Sequence, residues 1–170
     1  MQYMKLNPEQ REEFLSSLET MPAFVRGAFS DLTDEQMRTR AGDGILSPVE
    51  QVWHLADLER EGFKARIGRL LAEVEPELPD FNGARVAAER NYRSLSFEDG
   101  LSAFTAARRD TLASLRSVDT QSWFRSGTQE GVGKVSLCDI PGFMFQHDAA
   151  HKTEIEVWKS SVLGGRSAPD

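Results

Sequence analysis

A chain of 170 residues with a formal net charge of −7 has the length for one packed domain and leaves little room for a second. Its acidic balance argues against nucleic-acid and anionic-membrane partners, and its single cysteine, Cys138, forms no internal disulfide, which suits a reducing compartment. No apolar run approaches the roughly 20 residues that cross a bilayer, and the N-terminus lacks the order of a signal peptide, so the expectation is a cytoplasmic protein without a membrane partner.

Four long segments carry helical periodicity. The first runs from about Pro8 to Ser30, with Asn7 as N-cap, Pro8 in the tolerated first position, and Phe14, Leu15, Leu18, Met21 and Val25 as an apolar stripe. Pro22 should kink it. The second opens at Ser47-Pro48-Val49-Glu50, where Ser47 caps and Glu50 completes a capping box, and continues to about Ala72. Pro76, Pro79, Asn82 and Gly83 then break the helix as a connecting loop, followed by a short helix through Arg85 to Tyr92.

The third long helix starts near Ser96, with Glu98 and Asp99 well placed against the helix dipole, carries Leu101, Phe104, Leu112 and Leu115, and stops near Val118. Gly127, Gly131 and Gly133, among polar residues between Asp119 and Val135, read as a loop or short irregular hairpin without a nucleotide-binding motif. The fourth helix follows Ser136, with Asp139 as the capping-box acid, and carries Ile140, Phe143, Met144, Ile155, Val157 and Trp158. With no alternating strand pattern and no internal repeat, these segments predict an all-α four-helix bundle, one domain over residues 1–170, ending in a flexible tail from about Gly164.

The chain has three histidines. His147 and His151 stand four residues apart on the fourth helix, about 40° apart around it and about 6 Å along it, so both imidazoles reach one ion. An HxxxH pair alone is a weak signal, more readily read as one buried and one exposed histidine with no shared ligand. His54 changes the balance. It lies about two turns into the second helix, within the apolar run Val52, Trp53, Leu55 and Leu58, and can face the fourth helix. Three histidines would hold a divalent ion such as zinc or nickel between the second and fourth helices and leave a coordination position for water or substrate.

Trp53-His54-Leu55-Ala56-Asp57-Leu58-Glu59 and His147-Asp148-Ala149-Ala150-His151 resemble the two histidine motifs of the DinB/YfiT-like superfamily, in the same order and over nearly the whole chain. The resemblance implies a four-helix bundle with one divalent metal per chain, nickel or zinc among others, bound at His54, His147 and His151, and frequently a homodimer. Relatives include transferases using low-molecular-weight thiols, thiol-dependent isomerases and proteins described as metal-dependent hydrolases.

Around that site, Asp57 could accept a hydrogen bond from a ligating imidazole or be a solvated helix acid. Glu154 shares the face of His147 to within about 20°, and is a candidate fourth ligand, a general base or a surface charge. Cys138 lies about 180° from His147 by the same arithmetic, facing away from the metal. Trp53 and Trp158 read as packing, and Arg85, Arg90 and Arg93 as an exposed face or an anion site. A ferritin-like di-iron centre is excluded, because none of the histidines has Glu three residues before it. The functional expectation is a metal-dependent enzyme acting on a small molecule, by thiol transfer or hydrolysis; the alternative is a non-catalytic metal-binding or stress-response bundle.

Overall fold

A computed structural model describes residues 3–164, so the expected flexible tail lies, from residue 165 onward, outside the described residues. The first long segment is two helices, α1 (Pro8–Glu19) and α2 (Met21–Ala28), which meet at Thr20. The expected kink is a break, with Pro22 in the first turn of α2, where its missing N–H costs no helical bond. Asn7 Oδ1 accepts the Gln10 N–H at 2.9 Å and starts α1. A short helix, α3 (Asp34–Arg38), follows; at one turn and a half it is too brief to show periodicity in sequence.

The second long segment is continuous but not uniform. It passes from α4 (Pro48–Asp57) through a π-helical stretch, Leu58–Lys64, into α5 (Ala65–Ala72). Its capping box is present, with the Ser47 N–H donating to Glu50 Oε2 at 3.0 Å. π-helical turns collect at functional sites, and this one begins four residues after His54. Beyond it, α6 (Gly83–Arg90) starts earlier than expected, capped by Asn82, and stops before Tyr92 because Asn91 adopts the left-handed conformation at φ 46°.

The third and fourth long helices are α7 (Phe97–Arg116) and α8 (Ile140–Val162). α8 begins later than the expected start at Ser136. The Ser136 N–H does bond Asp139 Oδ2 at 2.8 Å, but Leu137–Asp139 form a 3-10 turn that leads into the helix. Between α7 and α8 the chain makes a regular hairpin, β2 (Ser126–Gln129) antiparallel to β3 (Gly133–Ser136), and β2 pairs in parallel with β1 (Glu77–Leu78). β1 corrects the expected connecting loop. Its partner lies some fifty residues on, and Gly127 permits their approach, since a Cβ there would stand 2.4 Å from the Pro76 carbonyl oxygen.

The bundle interior holds two apolar clusters. One gathers Leu15, Leu18, Ile67, Leu112, Leu115 and Met144; the other gathers Val25, Phe29, Val52, Phe104, Ile155 and Trp158. Each buried aliphatic or aromatic side chain contributes about 1.5–3 kcal/mol relative to exposure. Where α4 with its π-helical continuation, α7 and α8 pass from one cluster to the other they carry polar residues instead: His54 and Glu59, Arg108 and Thr111, His147, Asp148 and His151. This polar layer is the part of the core that apolar burial does not explain.

Candidate metal centre

His54 reaches the layer from α4, and His147 and His151 reach it from successive turns of α8. The Nε2 atom of His147 lies 3.3 Å from that of His54 and 3.1 Å from that of His151. One ligand atom from each histidine falls within 4.8 Å of the others. Two nitrogens bound tetrahedrally at about 2.0–2.1 Å from one ion stand about 3.3 Å apart, so the imidazoles converge with the spacing of a shared ligand set. The donor set fits a divalent ion.

Electrostatics favours the form that coordinates. Burial, and then the charge His151 would carry, lower the pKa of His54 from 6.5 to about 4. His147 is lowered further, by burial and by the other two histidines. Both are neutral at neutral pH and offer lone pairs rather than protons.

His151 is oriented by a residue that motif reading passed over. Gln51, fully buried one turn before His54, places Oε1 2.6 Å from His151 Nδ1, and its Nε2 donates to Glu154 Oε2 at 3.1 Å. The carboxylate can accept only from the amide NH2, so the amide oxygen must face His151. Nδ1 therefore carries the imidazole proton, and Nε2 turns a lone pair to the cluster. The signal available in sequence was a polar residue three positions before His54 on a helix otherwise buried by Val49 and Val52.

Glu154 meets the Nδ1 edge of His151, with Oε2 3.3 Å from that nitrogen. It is part of the His151–Gln51 chain and lies outside the three converging nitrogens. The hydrogen bond from His151 leads the effects that hold its carboxyl below the usual range, ahead of an opposing burial effect. Asp57 is neither a solvated acid nor a partner of an imidazole. It is buried and takes hydrogen bonds from Tyr92 Oη at 2.6 Å, Arg90 Nη1 at 2.5 Å and Arg60. Burial alone would raise its pKa, but these bonds outweigh it and keep Asp57 ionised. It fastens the chain after α6 to α4.

Gly83 matters by what it lacks. A Cβ on it would lie 2.6 Å from His54 Cε1, so α6 begins flush against that ring. Sequence reading saw Gly83 only as a helix breaker. Arg90 is committed to Asp57 and Glu61, Arg85 pairs with Glu89 on the surface, and Arg93 lines a cavity. Trp53 and Trp158 donate to the carbonyls of Ser96 and Thr39 and wall no cavity beside the histidines. Cys138 is buried in the other cluster, and burial pushes its thiol pKa up.

Two cavities flank the cluster. One of about 550 Å³ reaches His54 and His151 and is bordered by Arg40, Glu50, Arg93 and Glu154. The other, about 290 Å³, reaches His54 and His147 from the side of Phe63, Phe81 and Phe143. A convergent nitrogen set opening onto both is arranged to hold an ion that a small molecule can approach.

Comparison with known proteins bears on the family and the fold. Residues 17–155 match the family model of the DinB superfamily. A Geobacillus thermodenitrificans (strain NG80-2) protein named "Putative metal-dependent hydrolase" is 31% identical over 94 residues, which is 55% of this chain and 52% of that protein, so the chain spans about half of that relative's length. YfiT from Bacillus subtilis, described as a "probable metal-dependent hydrolase with an unusual four-helix bundle topology", matches with a TM-score of 0.81 at 21% identity, covering 91% of this chain and 89% of YfiT. That likeness carries the four-helix bundle fold.

Proposed function

This chain belongs to the DinB superfamily, and we propose that it is a metal-dependent hydrolase of small molecules whose one divalent ion, zinc or nickel, is held by His54, His147 and His151. The observation that carries this reading is the convergence of three Nε2 atoms beside an open cavity of about 550 Å³. When bound, the ion would act as a Lewis acid, polarising a substrate carbonyl and acidifying a water at its open position. The name of the Geobacillus relative supports the same reaction class.

The chain's own residues would divide the remaining work. Gln51 holds His151 in the tautomer that presents Nε2. Glu154 keeps Oε2 on Gln51 and His151 and borders the same cavity as His54 and His151, where its carboxylate would take a proton from the attacking nucleophile. Arg93 borders this cavity as a cation, while Arg40 there is paired with Glu50.

A second reading, transfer of a low-molecular-weight thiol, draws support from the burial of Cys138 in another part of the core. A thiol reacting at this site would have to come from outside the chain. The two cavities speak against a purely structural ion, which closed coordination would seal. The proposal includes a homodimer, which light scattering tests directly. Among the described residues no helix is long and apolar enough to cross a membrane.

The deciding experiment is elemental mass spectrometry of protein purified without an affinity tag, beside a His54→Ala, His147→Ala, His151→Ala variant. One ion per chain, absent from the variant, together with ester or amide hydrolysis that follows metal content, is the expected result. Hydrolysis replaced by consumption of an added thiol would favour transfer. No ion after reconstitution with zinc and nickel would overturn the reading.

A further inference from the structure

The smaller cavity holds an unsatisfied cation. Arg66, at the start of α5, lines it and is 6% exposed. Of five N–H donors a guanidinium carries, this one places Nη2 3.2 Å from the Pro79 carbonyl oxygen, while Nε is buried with no hydrogen-bond partner. Its nearest counter-charge is Asp80, 3.5 Å away and itself largely exposed. Burial holds the Arg66 pKa below that of an ordinary guanidinium, with Asp80 alone opposing. Burying a charge this poorly paired is costly unless something completes it.

Beside Arg66, Asp80, His54 and His147 the cavity is lined by apolar side chains: Leu58, Phe63, Phe81 and Phe143. Phe81 lies 6.2 Å from the His54 ring and Phe63 meets the His147 ring edge-on at 6.0 Å, so the same aromatic walls touch the histidine cluster. At about 290 Å³ the space stands at the small end of ligand pockets, which run from about 300 Å³ upward.

Resting on the reading of the histidine cluster as the reaction centre, we propose that this chamber is a carboxylate-recognising subsite for an aromatic or similarly apolar group ending in a carboxylate. Arg66 binds the carboxylate through its terminal Nη N–H groups, and the three phenylalanines enclose the apolar part beside His54 and His147. A monoanion is preferred to a dianion, because the one guanidinium already shares its field with Asp80.

The test titrates phenylacetate, phenylacetamide and acetate into the full chain, with and without metal, and follows binding by NMR. Phenylacetate should bind about tenfold more tightly than either analogue, the amide lacking the charge and acetate lacking the ring. Shifts should appear at Leu58, Phe81 and Phe143. Arg66→Gln should bind phenylacetate no better than phenylacetamide. Asp80→Asn, at an exposed position, should tighten phenylacetate several-fold by removing the competing carboxylate, and keeps the test decisive should the Arg66 variant fold poorly. Equal affinities in the unaltered protein, a preference that survives Arg66→Gln, no gain in Asp80→Asn, or shifts confined to the Arg40 and Arg93 side would each overturn the subsite. Metal content of the same samples separates this failure from failure of the hydrolase reading. An ion held without carboxylate preference removes the subsite alone; a preference without any ion keeps the carboxylate site and removes the reaction centre.

Discussion

Arg108 on α7 grips Asp148 on α8 through two parallel bonds, Nη1 to Oδ2 at 2.7 Å and Nη2 to Oδ1 at 2.9 Å. Asp148 lies between the two histidines of α8. The same guanidinium contacts Glu59 at 3.0 Å and donates to the Leu18 carbonyl at 2.8 Å. One buried cation thus joins α1, the π-helical stretch, α7 and α8 at the level of the histidines. Arg108→Ala would strand two buried carboxylates and should cost about 3–5 kcal/mol, read from denaturant unfolding. A loss under about 1 kcal/mol would show that the network is not what fixes the layer.

Gly83→Ala should separate metal affinity from fold. Alanine favours the helix by about 1 kcal/mol over glycine, yet its Cβ would press on His54 Cε1 and turn the ring away. The expected outcome is an unchanged helical circular dichroism spectrum with a metal affinity about 10 to 100-fold weaker, measured by chelator competition. Unchanged affinity would mean that His54 has slack the structure does not show.

The histidines and the caps were legible in sequence because their logic is local: an i, i+4 pair, a Ser-x-x-Glu box and a proline in a first turn each act within one or two helical turns. Gln51, Gly83 and Arg66 were not. Each acts on a group presented by another element, His151, the His54 ring and the aromatic chamber, and nothing in their own neighbourhood announces it. β1 escaped for the same reason, being two residues whose ladder partner is far along the chain. Helix arithmetic put Glu154 on the face of His147, and what it did not foresee is the bond that joins the carboxylate to Gln51 on α4.

Gln51→Leu tests the orientation of His151. Leucine fills the space but accepts nothing, so the Nδ1 proton loses its partner and the ring its tautomer. Metal affinity should fall about 10 to 100-fold, as for other groups that orient ligating histidines. Retained affinity would assign that role to Glu154.

Glu154→Gln should leave metal content intact, since the residue lies outside the converging nitrogens. If its carboxylate accepts the nucleophile's proton, turnover should fall by about 10² to 10⁴-fold with little change in KM. A variant that loses its ion instead would return Glu154 to the coordination sphere.

The pH dependence of stability follows from the histidines. His54 has its pKa lowered from 6.5 to about 4, and His147 is lowered as well, so the unfolded chain binds protons that the folded chain refuses. Stability from these neutral imidazoles is whole above about pH 6.5 and is lost as pH falls toward the folded values. Metal-free protein should therefore lose unfolding free energy progressively between about pH 6.5 and 4, and His54→Asn should flatten part of that slope. In the metal-loaded protein, ordinary imidazoles would yield the ion to protons below about pH 6, whereas these, already reluctant to protonate, should keep it to about pH 5. Metal loss at the pH of an ordinary imidazole, with no slope in the metal-free protein, would show that the histidines are hydrated rather than held in the buried layer.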